Sequence, residues 1–373
     1  MSRQIALEAL NPSYRGERIP VWEAFSGCSR EVVQHLTGYD PLAPGGPGIR
    51  HIYRTLAEKL DIDVLGSGLP ADDAETFDWS DGETIKTNRR GQQCVQWGVF
   101  HSRVQEDGRH FLHIPKPATL DEALQFDPLP YFPYSTEDHV EFLTQQFPKM
   151  EEAAGDIGLV VPGYYTTAFH WPLAVLGFEM LCEAGLEEND FAELMKRCVE
   201  VTKRLVTAWS RVPGVKVFTC HDDLAMSGGL IFHPDWYRRH IIPHYREIFK
   251  PLKEAGIQIV FVSDGDCSAL MDDIFDAGAD GFNFEWLIPL RPLVERHGDK
   301  ILVGNLNSHT LAAGPIEKIE AEVRECIEVG RHAPRFAINV GGQLTHDISP
   351  QHMDAYLNIR NRLCREARRG MSV

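Results

Sequence analysis

Ile259-Val260-Phe261-Val262-Ser263-Asp264-Gly265-Asp266 passes from four apolar residues to four that are polar or glycine. An apolar run that breaks at once into polar residues fits a strand buried on both faces, as the strands of a parallel sheet are. In α/β barrels the residues just past such strands form the active site. The same break recurs at Val217-Phe218-Thr219-Cys220-His221-Asp222-Asp223 and at Gly281-Phe282-Asn283-Phe284-Glu285. It appears again at Val303-Gly304-Asn305-Leu306-Asn307 and at Ala337-Ile338-Asn339-Val340-Gly341-Gly342. Strand ends that carry His, Asp, Glu and Asn point to one polar pocket.

Period and punctuation predict strands at 19–25, 62–66, 157–162, 215–220, 257–263, 281–285, 301–304 and 336–340. Helices are predicted at 234–255 and 267–278, each with a glycine, Gly256 or Gly278, able to take the left-handed cap conformation. Strand and helix alternate, so the expected fold class is α/β, and eight strands imply closure into a (β/α)8 TIM-type barrel, formed as a single domain over 1–373. Residues 82–114 break the rhythm. They alternate around Arg90-Gly91 and reverse again near Asp107-Gly108, which predicts an antiparallel hairpin inserted in the barrel. Residues 115–134 hold Pro115, Pro117, Pro128, Pro130 and Pro133 and predict an irregular surface excursion.

The composition, 43% hydrophobic and 24% charged, is that of an ordinary globular chain. No apolar run approaches the roughly 18 residues of a membrane helix, and the first residues lack an apolar signal core, so a cytoplasmic location is expected. The formal charge of -17 argues against nucleic acid and anionic membrane as partners. The basic cluster Arg360, Arg362, Arg365, Arg368 and Arg369 reads as a solvated helix face or a subunit contact. Eight scattered cysteines without a C-x-x-C pair read as reduced, small core residues.

The strongest chemical constellation is His221, Asp222, Asp223, Asp264, Asp266 and Glu285, from three consecutive strand ends. Carboxylates with an imidazole bind a divalent metal, or set a protonated acid apart from an ionised base through mutual repulsion. His221, Asp264, Glu285 and Asp222 are the candidate catalytic residues, and the first three are also candidate metal ligands. The plainer alternative is that Asp222 and Asp264 bond loop amides and that Asp266 starts a helix. Candidate substrate-binding residues are Glu23, Tyr164, Tyr165, His170, Asn305 and Asn307. Glu23 could orient a ligand from a barrel mouth or pair with Arg30. Tyr164, Tyr165, Phe169, His170 and Trp171 could wall an aromatic ligand or pack beneath a loop. Asn305 and Asn307 could bond a substrate or order a turn, while His309 and His346 read as exposed. The P-loop, Rossmann, zincin and nucleophile-elbow motifs are absent.

Several words in order resemble the uroporphyrinogen decarboxylase superfamily, which includes corrinoid and coenzyme M methyltransferases. They are Pro20-Val-Trp, Leu36-Thr-Gly-Tyr-Asp-Pro, His221-Asp-Asp-Leu, His233-Pro-Asp-Trp-Tyr-Arg-Arg-His, Ser263-Asp-Gly-Asp, Ala277-Gly-Ala-Asp-Gly-Phe-Asn and Gly304-Asn-Leu-Asn. The resemblance implies a (β/α)8 barrel enzyme with an N-terminal extension. The true decarboxylases carry an Arg-Gln-Ala-Gly-Arg word after the first strand; here that place reads Glu23-Ala-Phe-Ser-Gly-Cys-Ser-Arg30. Coenzyme M methyltransferases bind zinc through His-x-Cys and a later Cys; here the places read Val262-Ser-Asp and Gly341-Gly-Gln. The branch left moves a methyl group from a small methylated donor, such as an aryl methyl ether, to the corrinoid of a partner protein. That branch implies zinc or a proton donor at the departing oxygen, and family members often form homodimers. Decarboxylation of a porphyrinogen or another small carboxylate, and a non-catalytic ligand-binding barrel, stand as alternatives.

Overall fold

The computed structural model describes residues 2–369 apart from 15, 17, 42, 44, 67, 70–84, 88–92, 96–116 and 133. The chain divides into two compact units. One comprises Met1–Cys94, Lys149–Val161 and Gly281–Val373, and the other Val95–Pro148 and Pro162–Asp280.

In the first unit Gly281–Phe284, Ile301–Leu306 and Phe336–Val340 pair in parallel in that order, with Leu306 opposite Val340. Val64–Gly66 pairs in parallel with Leu159–Val161. The expected first strand, 19–25, carries a single bridge, Val21 to Ile338. Side chains have taken the places that backbone groups fill in a regular ladder. The Val21 amide donates to Asp63 Oδ2 at 2.8 Å, the Val340 amide to Glu23 Oε2 at 2.9 Å, and Asn339 Nδ2 to the Trp22 carbonyl at 2.6 Å. Backbone bonds still tie the segment on both sides, from Trp22 N to Ile338 O at 3.0 Å and from Asp63 N to Val21 O at 2.9 Å.

Two sequence expectations are corrected here. Glu23 is 1% exposed; its Oε1 accepts the Tyr356 hydroxyl and lies 3.5 Å from Arg360 Nη1, so it does not stand in an open mouth. Arg360 is 0% exposed and also donates to the Leu60 carbonyl, so it is no part of a solvated face. A buried carboxylate and guanidinium are tolerated only as a pair with further donors and acceptors around them. This pair ties the N-terminal segment to the Pro350–Arg369 helix. Arg30 instead binds Asp40, through Nε at 2.7 Å. Arg362 and Arg365 are exposed as expected.

In the second unit Gly163–Tyr164, Val217–His221 and Gln258–Ser263 pair in parallel, with His221 opposite Val262. The helix Ile242–Glu254 covers them with Tyr245 and Phe249, stacked at 5.6 Å, against Phe261. The helix predicted over 234–255 is divided at Ile241 into Pro234–His240 and Ile242–Glu254. Pro243 lacks the amide hydrogen that would have carried the ladder through. Gly256 and Gly278 have the expected positive φ, 73° and 124°. Among its described residues the proline-rich stretch does contain a short α-helix, Leu120–Leu124, and a single 3-10 turn, Leu129–Tyr131. Thr119 caps the helix by accepting the Glu122 amide at 3.2 Å, and the Glu122 carboxylate takes the Ala118 amide in return.

Ile85–Thr87 and Gln93–Val95 pair as a two-stranded sheet inside the predicted hairpin, while the reversal near Asp107-Gly108 lies outside the described residues. The cysteines other than Cys94 are unpaired, and all of these but Cys182 are buried. No helix among the described residues is long and apolar enough to cross a membrane.

Removing one partner of the Glu23–Arg360 pair strands the other charge in the core. Arg360→Met is expected to lower stability by about 3–5 kcal/mol, with Glu23→Leu added to it restoring a large part. Urea denaturation of the single and double variants measures both; equal stability of Arg360→Met and wild type would refute the structural role.

Candidate functional site

Alternation along a strand puts residues two apart on one face and the residue between them on the other. At the end of Val217–His221 this sends His221 and Asp223 one way and Asp222 the other. The structure follows that division. Asp222 is fully buried and accepts the amides of Ala168 at 2.6 Å, Phe169 at 2.9 Å and His170 at 2.9 Å, with the Tyr245 hydroxyl at 2.8 Å. Burial pushes its carboxyl upward, opposed by His170 and these donors. Its bonds are those of a tie between strand end and loop, which corrects its assignment to the reacting groups.

Asp223 stands on the other face with His221, and Asp264 joins them from the next strand end. Each offers one ligand atom, and the three atoms lie within 4.8 Å of one another. Asp223 Oδ1 meets His221 Nε2 at 2.9 Å and accepts the Asp264 amide at 3.0 Å, while Oδ2 accepts the Tyr165 hydroxyl at 3.0 Å. Asp264 is aimed by the turn that follows it. Gly265 has φ 76°, and a Cβ there would lie 2.7 Å from the Ala225 and Met226 backbone, so only glycine lets the turn sit beneath the antiparallel pair Ala225–Met226 and Gly229–Leu230. The Tyr165 ring is 54% exposed, stacks on His170 at 4.9 Å and leans on His221 at 4.3 Å.

His170 Nδ1 bonds the Tyr165 carbonyl at 3.0 Å. Its Nε2 is offered two partners by Asp223, the backbone amide at 2.9 Å and Oδ2 at 3.3 Å. A neutral ring accepts the first; a cation donates to the second. Burial by itself would lower this histidine, but the hydrogen bond to Asp223 and the charges of Asp222 and Asp223 raise it to about 9. We take the cation as the form present near neutral pH, because two carboxylates face the ring. Burial alone would raise Asp223, and bonds from His170, His221 and the Asp264 amide outweigh it and hold this carboxyl far below the usual range.

One imidazole and two carboxylates, with no thiolate among them, suit a divalent cation that accepts nitrogen and oxygen donors. Neighbouring donors around a tetrahedral ion lie about 3.4 Å apart for bonds of about 2.1 Å. His221 Nε2 and Asp223 Oδ1, at 2.9 Å, hold a proton between them and need open only slightly to admit an ion instead. The donor set therefore fits.

Glu285, expected as a third ligand, is not part of this group. It belongs to the first unit, where Gly342 lies close enough that an added Cβ would be 3.3 Å from Glu285 Oε1. Asn305 donates from Nδ2 to the Ile288 carbonyl at 2.9 Å, and Asn307 caps the Ser308–Ala313 helix by accepting the His309 amide at 2.9 Å. Both also line a cavity of about 370 Å³ in that unit. Of the aromatic group, Phe169 and Trp171 are core, Trp171 donating to Thr202 at 2.9 Å. Tyr164 is half-buried, and burial raises its hydroxyl. Asp266 accepts the Ser268 amide at 3.1 Å, and His309 and His346 are exposed, all as expected.

Parallel strands alternating with helices, with an imidazole and carboxylates gathered at strand ends, define a barrel-type α/β protein with a polar site. The chain belongs to the uroporphyrinogen decarboxylase (URO-D) family, whose model matches residues 177–363, half of its length. A uroporphyrinogen decarboxylase of Salinispora tropica is 35% identical over 116 residues, 31% of this chain and 30% of the relative. One from a Geobacillus species is 28% identical over 165 residues, 44% of this chain and 46% of the relative. These matches span less than half of each relative. A solved methyltransferase from Methanosarcina mazei is similar over 96% of this chain and 97% of its own, with a TM-score of 0.58 and 17% identity. That likeness is one of fold, and the fold is the TIM-type barrel expected from the strand pattern.

Because the folded value of His170, about 9, lies above the ordinary 6.5, its charge stabilises the protein fully below pH 6.5, and the contribution is lost as pH rises through 9. Chelator-treated protein is expected to lose up to about 3 kcal/mol between about pH 6 and about pH 9.5, and His170→Gln to lose little of it. Denaturation midpoints at the two pH values measure this; identical slopes for both proteins would refute it.

Proposed function

We propose that this chain is a methyltransferase that takes a methyl group from a small methylated donor, an aryl methyl ether among the candidates, and passes it to a corrinoid carried by a partner protein. The observation that carries the reading is the His221, Asp223 and Asp264 group at adjacent strand ends. His221 Nε2 and one oxygen each of Asp223 and Asp264 would hold a divalent cation, zinc foremost. Such a cation supplies Lewis-acid polarisation of the oxygen that leaves the methyl group. Tyr165 keeps its hydroxyl at Asp223 while more than half of its surface is open, so an incoming donor meets its ring first. The Asp223 carboxylate is held ionised, and Asp222 and Asp264 add negative charge around Tyr165.

The argument against a polycarboxylate substrate is the want of arginines in the place where the true decarboxylases carry two. Arg30, the lone arginine in the stretch after the first strand, is already paired with Asp40. The curated relatives named as uroporphyrinogen decarboxylases keep decarboxylation as the second reading.

Metal content by plasma emission and methylation of free cob(I)alamin, followed by its visible absorbance, test the proposal together. Wild type is expected to hold a stoichiometric divalent cation and to methylate the corrinoid from an aryl methyl ether. Asp264→Asn is expected to lose the metal and about 10²–10⁴-fold in rate. Turnover of uroporphyrinogen at an enzymatic rate, without corrinoid methylation, would establish the decarboxylase reading instead.

A further inference from the structure

A carboxylate has about four lone-pair positions, and those of Asp223 are all engaged. Oδ1 meets His221 Nε2 at 2.9 Å and the Asp264 amide at 3.0 Å; Oδ2 meets the Tyr165 hydroxyl at 3.0 Å and faces His170 Nε2 at 3.3 Å. A cation entering between His221 and Oδ1 replaces only the proton they share. The other three contacts remain, and they decide where the liganding oxygen points.

These three differ in how firmly they are held. The Asp264 amide belongs to the strand end itself. Tyr165, 54% exposed, is free to turn aside for a ligand. His170 is 7% exposed and fixed at two points: Nδ1 on the Tyr165 carbonyl at 3.0 Å and its own amide on Asp222 Oδ1 at 2.9 Å. Asp222 is anchored in turn by the Ala168 and Phe169 amides and by Tyr245 from the core. In either charge state His170 Nε2 ends on Asp223, on its amide or on its carboxylate.

We infer that His170, anchored through Asp222, is the positioning residue that holds Asp223 in the orientation a cation needs. This rests on the cation reading of the site. Partners that stand behind metal ligands typically control affinity by 10–100-fold, because a ligand left to rotate must be ordered again on binding.

The test uses the full chain, stripped with chelator and titrated with cobalt(II) against a chromophoric chelator, with the cobalt visible spectrum recorded at saturation. His170→Phe keeps a ring beneath Tyr165 but removes both nitrogens, and is expected to weaken cobalt binding about 10–100-fold and to alter the spectrum. His170→Gln puts an amide where Nε2 was and is expected to restore most of the affinity and the wild-type spectrum. Should the phenylalanine variant not fold, judged by circular dichroism, His170→Asn carries the same expectation, since its shorter amide reaches only toward the Tyr165 carbonyl. Wild-type affinity and spectrum in the folded phenylalanine or asparagine variant would overturn the inference and leave the cation reading standing. An equal loss in the glutamine variant, with the spectrum unchanged, would also overturn it, by showing a purely structural effect. No cobalt binding by wild type would overturn the cation reading, and the inference with it.

Discussion

The carboxylate of Asp222 is the constraint on which the site depends. It takes three consecutive backbone amides, from Ala168, Phe169 and His170, and the Tyr245 hydroxyl, all inside the core. Hydrogen bonds to a charged group contribute about 1.5–3 kcal/mol each, and losing the acceptor would leave several donors buried without partners. The loop after Gly163–Tyr164 is thereby fixed against the end of Val217–His221. Tyr165 and His170 reach Asp223 because that loop is held there.

The same device recurs away from the site. Asp63 takes the Val21 amide, Glu23 the Val340 amide, and Asp280 Oδ2 the Ile259 amide at 2.9 Å. An acid beside a strand in this protein is therefore often a tie that completes a backbone bond. What separates Asp223 and Asp264 from these is their company. They share one small volume with His221, where mutual repulsion of carboxylates is relieved only by protons or a cation.

Asp222, Asp223 and Asp264 all act on Tyr165, the most exposed group of the cluster, and each raises its hydroxyl after burial has done so.

The α/β class, the parallel strands and most of their positions are legible in the sequence, because apolar runs capped by glycine turns fix burial and direction locally. The sequence also held the clue that His221 and Asp223 share a face, since alternation along a strand is a local rule. Which acids gather was not local. Glu23 and Glu285 read as site residues from their place after strands, yet one is turned into the core by Tyr356 and Arg360 and the other lies at Gly341-Gly342. Packing settles it, because a carboxylate's role is set by the donors that surround it, and those come from residues far away in the chain: Tyr356 for Glu23, Tyr245 and the amides of 168–170 for Asp222, Tyr165 and His170 for Asp223.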